Sequence, residues 1–236
     1  MTQFDLSLYL VLDPDLCRSL SMVETARAAV AGGATMVQLR DKTAGTAGLV
    51  AVGRALKSAL AGTDAALIVN DNLDAMLAVD ADGLHVGQKD MGARQARERI
   101  GHGKILGLSV ETEAAVSRVD ASAVDYVGVG PVFDTPTKPD HERPIGIEGL
   151  ARIVALSPVP AVAIGGLKPH HVASVMASGA EGLAVVSAIC GQPDPQAAAH
   201  GLARAIAASR ASGKSLRSGG RPIGYPDRDS RPSQSS

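Results

Sequence analysis

Aromatic side chains are almost missing from this chain: among its 236 residues there is no Trp, and there are two Phe and three Tyr. Proteins that hold RNA or single-stranded DNA stack the bases on exposed aromatic faces, so the scarcity argues against a nucleic-acid partner. It also leaves the core to aliphatic side chains. Cysteine is scarce as well. Cys17 and Cys190 lie too far apart in sequence to suggest a disulfide framework, and neither has the C-x-x-C spacing of zinc or dithiol chemistry. A reducing compartment is therefore expected, and with it a cytoplasmic location. There is no excess of either charge: the formal net charge is -1, so an anionic ligand must be captured by local cations rather than by a global field. No apolar run approaches the length of a membrane span. Residues 1–12 carry Asp5 where a secretion signal would be basic, and they read as a first strand.

What is present is alternation. Short β-type apolar runs at 6–12, 36–40, 66–69, 83–86, 105–109, 126–129, 161–163 and 182–185 are each followed by a stretch of helical period. The clearest of these helical stretches are 22–31, 49–61, 93–100, 169–177 and 195–208. Eight successive βα units with no second run of strands predict a single-domain α/β fold, a (β/α)₈ TIM barrel over residues 1–208. Nearly every strand ends in a polar or glycine cluster: Gln38 and Arg40, Asn70-Asp71, Gly87-Gln88, Ser109, Gly128 to Pro131, Gly165-Gly166 and Ser187. In a barrel such ends converge on one face, where active sites lie. Residues 209–236 change composition to Ser, Arg, Gly and Pro with a net charge of +4. Too little apolar surface is available there to offset ordering, so a disordered, solvated tail is expected.

Several strand ends carry recognisable chemistry. In Gln38-Leu39-Arg40-Asp41-Lys42, alternate residues Gln38 and Arg40 share a side and Lys42 follows in the loop. An arginine fork and a lysine point charge can hold several oxygens of a diphosphate, and a solvated strand end fits the same residues equally well. Asp71 and Asp90 follow strands three and four, so two adjacent loops present carboxylates that repel unless a cation lies between them. Mg²⁺ suits this sparse set, because it is commonly held by one or two carboxylates together with substrate phosphates and water. Each Asp taken alone reads as a helix cap. His85, inside strand four, reads first as a hydrogen-bonded structural residue. The run from Asp125 to Lys138, with Gly128, Gly130, Pro131, Thr135, Pro136 and Thr137, places hydroxyls and a lysine on a loop able to approach phosphate closely, and Lys138 suits a departing diphosphate. Gly165-Gly166 at strand seven and Ser187 at strand eight occupy the place where barrels often bind phosphate through backbone N–H groups. Two phosphate subsites facing each other are expected.

Taken in order, Gln38 to Lys42, Val69-Asn70-Asp71, His85 to Asp90, Gly107-Leu108-Ser109, Gly128 to Lys138, Ala163 to Gly166 and Ala184 to Ser187 closely resemble the thiamine phosphate synthase family, over residues 5 to 208. The resemblance implies a Mg²⁺-dependent transferase acting on two small-molecule substrates. It would condense 4-amino-2-methyl-5-hydroxymethylpyrimidine diphosphate with 4-methyl-5-(2-hydroxyethyl)thiazole phosphate, giving thiamine phosphate and diphosphate by a dissociative route. It further implies that Gln38, Leu39, Arg40, Asp41, Lys42, Asn70, Ser109 and Lys138 bind the pyrimidine diphosphate, and that Thr135, Pro136, Thr137, Gly166, Val186 and Ser187 bind the thiazole phosphate. Asp71 and Asp90 would hold Mg²⁺, and Arg40, Ser109 and Lys138 would act in catalysis. A thiazole tautomerase-like relative would share the barrel without needing the metal, and a non-catalytic ligand sensor is the reading from another class. Glu111, just past strand five, is expected to cap the next helix. No partner membrane is expected, and the sequence carries no sign of an oligomeric state.

Overall fold

Alternating apolar side chains can bury both faces of a strand only if the sheet is covered on both sides. Closing the sheet into a barrel does this with side chains within and helices without. A computed structural model describes residues 4–88, 90–135 and 143–218. Its strands are β1 (Leu8–Val11), β2 (Met36–Leu39), β3 (Ala66–Asn70), β4 (Gly83–Val86), β5 (Ile105–Val110), β6 (Tyr126–Val129), β7 (Ala161–Ile164) and β8 (Gly182–Val185). All neighbours pair in parallel, and β8 returns to β1 to close the barrel. The helices are α1 (Met22–Ala31), α2 (Thr46–Leu60), α3 (Leu73–Val79), α4 (Ala93–Ile100), α5 (Glu113–Val116), α6 (Gly146–Leu156), α7 (Val172–Ala177) and α8 (Pro195–Ser218). The expected α/β TIM barrel is therefore the observed one.

The period of two sorts the core into two layers. Leu10, Val37, Val69, Leu84, Val127 and Leu183 face outward and pack beneath the helices against Ala26, Leu56, Met76 and Leu202. Tyr9, Met36, Ile68, Ile105, Tyr126, Val162 and Ala184 face inward and fill the barrel. Each fully buried aliphatic side chain contributes roughly 1.5–3 kcal/mol relative to exposure, so this alternation supplies most of what opposes chain entropy. Both cysteines are buried free thiols in the outer layer. Among the described residues no helix is long and apolar enough to cross a membrane.

Several boundaries shift from expectation, such as α2 at Thr46–Leu60 in place of 49–61, and two of the shifts have clear local reasons. Residues 169–177 divide into a 3₁₀ turn (Pro169–His171) and α7, with Lys168 N–H donating to His171 Nδ1 at 3.1 Å. The final helix does not stop at 208 but continues through Ser218. Within it the Ser209 hydroxyl bonds the Ala205 carbonyl at 2.9 Å, the Ser212 hydroxyl bonds that of Ala208 at 3.0 Å, and Arg210 reaches Ser7 Oγ at 2.6 Å. Composition alone gave these residues to the tail because it counts apolar area and overlooks such anchors. The rest of the expected tail, 219–236, lies outside the described residues.

Candidate active site

The C-terminal ends of all eight strands surround one cavity of about 420 Å³, a size suited to small ligands. Gln38, Arg40, Lys42, Asn70, Asp71, Asp90, Ser109, Thr135, Gly166, Val186 and Ser187 all line it, as does His85. Eleven of the residues singled out from sequence as ligand or metal contacts are thus brought together. Two are not. Leu39 is fully buried in the outer layer, because strand alternation turns it away from its neighbours Gln38 and Arg40. Asp41 bends back on its own loop, accepting from Thr43 N at 2.8 Å, Thr43 Oγ1 at 2.8 Å and Ala44 N at 3.0 Å. These bonds hold its carboxyl below the usual range against the opposing cost of burial, and they shape the loop that delivers Lys42. Pro136, Thr137 and Lys138 lie outside the described residues.

Neither Asp71 nor Asp90 is a helix cap. Asn72 caps α3, its Oδ1 accepting from Ala75 N at 2.8 Å, and the cap position of α4 is Gly92, with no side-chain bond. Instead the two carboxyls face each other across the β3 and β4 loops. Burial, reinforced by the hydrogen bond and negative charge of Asp90, raises the Asp71 carboxyl to about 6, with Asn70 and Lys42 opposing. Asn70 Nδ2 donates to Asp71 Oδ2 at 2.6 Å, and Gly87 N–H donates to Asp90 Oδ2 at 2.7 Å. Asp71 also adopts a left-handed backbone with φ 58°, a strained conformation of the kind that gathers at functional sites. Two carboxylates this close need a proton or a cation between them. Among the described residues no cluster of three or more His, Cys, Asp or Glu could hold a metal alone. The donor set therefore fits a divalent ion that takes its remaining ligands from water and substrate.

At the ends of β7 and β8 the cavity is lined by Gly165, Gly166, Leu167, Val186 and Ser187. Gly165 and Gly166 have φ of 86° and 67°, and a Cβ on Gly166 would stand 2.6 Å from the Asp134 carbonyl oxygen. Only glycine lets this turn pack against the β6 loop while lining the cavity. Next to it Lys168 Nζ donates to Ser187 Oγ at 2.9 Å, bringing to this subsite a cation that sequence reading passed over. Its position two residues past Gly-Gly was the available signal. Glu111 is not the expected cap: Thr112 caps α5, accepting from Ala115 N at 3.1 Å, and Glu111 lines the cavity. Tyr9 also lines the cavity, and its only mark in the sequence was a polar tip within an apolar strand.

A family model described as thiamine monophosphate synthase matches residues 8–189. The chain belongs to this family. Among curated relatives, the thiamine-phosphate synthase of Xanthobacter autotrophicus is 49% identical over 207 residues, covering 88% of this chain and 98% of that protein. The thiamine-phosphate synthase of Moorella thermoacetica is 44% identical over 214 residues, covering 91% and 100%. Among solved structures, the thiamine phosphate pyrophosphorylase of Pyrococcus furiosus superposes with a TM-score of 0.79 at 36% identity, covering 86% of this chain and 96% of that one. As a thiamine monophosphate synthase family member, the chain is a transferase of thiamine biosynthesis.

Proposed function

We propose that the barrel joins 4-amino-2-methyl-5-hydroxymethylpyrimidine diphosphate to 4-methyl-5-(2-hydroxyethyl)thiazole phosphate with Mg²⁺ at the mouth. The carboxylate pair carries this reading, because Asp71 and Asp90 face each other beside Lys42 at one wall of the cavity. Arg40 and Lys42 bind the diphosphate there. Gln38, Asn70 and Ser109 hold the pyrimidine, and Gly166, Val186 and Ser187 hold the thiazole phosphate on the facing wall. Asp71 and Asp90 would ligate Mg²⁺, which supplies charge neutralisation for the diphosphate oxygens when bound.

The bond between the pyrimidine methylene carbon and the diphosphate oxygen breaks first, its electron pair leaving with diphosphate. Arg40 and Lys42 meet that developing charge, and Lys138 joins them on the strength of its sequence position. The thiazole nitrogen then donates its lone pair to the pyrimidinylmethyl cation, forming the carbon–nitrogen bond. Ser109 Oγ lies 2.9 Å from His85 Nε2, but neither step of this reaction needs a covalent intermediate with the protein, and catalysis here is positioning and charge stabilisation. The test is to incubate the purified protein with both substrates, with and without Mg²⁺. Diphosphate and thiamine phosphate should form in equal amounts only with the ion. Absence of both products under Mg²⁺ would overturn the assignment.

A further inference from the structure

Along the cavity floor inward-facing polar side chains form one continuous line, in which Tyr126 alone does not line the cavity. Gln38 Nε2 donates to Tyr9 OH at 2.7 Å, and Tyr9 OH meets Tyr126 OH at 3.0 Å. Tyr126 OH meets His85 Nδ1 at 2.9 Å, and His85 Nε2 meets Ser109 Oγ at 2.9 Å. The five members come from β2, β1, β6, β4 and β5, so the line crosses the barrel, and both of its ends, Gln38 and Ser109, open on the cavity. Space has been left for it. A Cβ on residue 107 would stand 2.2 Å from Tyr126 Cζ and 2.5 Å from His85 Nδ1, and glycine is what the chain has there.

A phenol has one proton, so the direction of one link sets the others. With Gln38 donating to the Tyr9 oxygen, the Tyr9 proton goes to Tyr126, the other hydrogen-bond partner of that hydroxyl among the described residues. The Tyr126 proton then goes to His85 Nδ1. A neutral imidazole that accepts at Nδ1 carries its proton on Nε2 and gives it to Ser109 Oγ. The Ser109 proton is left over for a ligand, and so is the Gln38 carbonyl oxygen. Burial pushes both phenols above their usual range, so each keeps its proton at neutral pH.

We propose that Tyr9, Tyr126 and His85 are positioning residues whose one-way relay makes the cavity floor present Gln38 as an acceptor and Ser109 as a donor. That pattern selects an aminopyrimidine, with an N–H for Gln38 and a ring nitrogen for Ser109, over its oxo counterpart, in which donor and acceptor are exchanged. The specificity rests on the pyrimidine site proposed above; the direction of the relay does not.

Two measurements test it. In protein with ¹⁵N-labelled histidine, the signal lost in His85→Gln should report the Nε2–H tautomer; an Nδ1–H tautomer reverses the line and overturns the proposal. In Tyr126→Phe, which removes the middle link, the preference for the 4-amino over the 4-oxo pyrimidine diphosphate, read as a ratio of Kd values, should fall about tenfold. The KM for thiazole phosphate should stay as it was. An unchanged preference would overturn the specificity claim, and Tyr9→Phe serves if the first variant does not fold. Should the wild type make no thiamine phosphate, the assigned reaction fails while the tautomer still decides the relay.

Discussion

The two ends of the barrel use the same side chain in opposite ways. At the base, before β4, Asp80 is bonded by Lys104 at 2.6 Å and by Lys57 at 2.7 Å. The Lys104 hydrogen bond foremost, with that of Lys57, lowers its carboxyl to about 2. Asp82 and Asp125 accept the N–H groups of Leu67 at 2.8 Å and Leu106 at 2.7 Å, and Asp125 also pairs with buried Arg97 at 2.5 Å. At the mouth, Asp71 is buried facing another carboxylate and is raised to about 6. The base answers its own charges. The mouth leaves a repulsion, the one that the proposed Mg²⁺ would relieve, and binding free energy would then depend on the ligand rather than on the fold.

The sharpest way to break this contrast is to neutralise the mouth. Asp71→Asn combined with Asp90→Asn should lower Mg²⁺-dependent turnover by roughly 10³-fold, the several kcal/mol that a bound ion contributes to charge stabilisation. The metal-free melting temperature should rise, because the repulsion is gone. A variant that loses stability along with activity would show these carboxylates to be structural, like those of the base.

The next effect lies at the base and has the opposite character. Arg97 also donates to the carbonyls of Ala123 at 2.8 Å, Gly101 at 2.6 Å and Lys104 at 2.7 Å. Arg97→Ala leaves these groups and Asp125 without their partner and should cost about 3–5 kcal/mol in urea unfolding, with kcat of the folded fraction unchanged. A kcat loss without a stability loss would tie the base to the chemistry.

The smallest effect is at Asp80, which is exposed. Its folded carboxyl lies below its ordinary value of 3.8, so its contribution is present above pH 3.8 and is lost as pH falls through about 2. Asp80→Asn should therefore lower the melting temperature slightly at neutral pH, and the gap from wild type should close on acidification. A gap that persists in acid would assign the loss to something other than charge.

The contrast also explains what sequence could and could not reveal. β4, β6 and β8 run between the expected residues, and α1 and α4 likewise, because periodicity and local turn chemistry determine them. The mouth was legible because barrel topology brings strand ends together whatever their separation in sequence. Leu39 and Asp41 stand in the ligand set only as parts of one motif; alternation turns Leu39 away from the side that Gln38 and Arg40 share, and Asp41 bonds its own loop. The Tyr9–Tyr126 bond joins residues 117 apart, and no local pattern announces it. The choice of cap turned on Asn72, which caps α3 and leaves Asp71 lining the cavity, a choice between two adjacent polar residues that only coordinates resolve.

The central claim is that Asp71 and Asp90 form a cation site completed by a diphosphate. Calorimetric titration of Mg²⁺ into the wild-type protein, with and without inorganic diphosphate, tests it most directly against the Asp71→Asn, Asp90→Asn double variant. The account predicts Mg²⁺ binding that strengthens with diphosphate in the wild type and is lost in the variant. Equal binding by both proteins would contradict it.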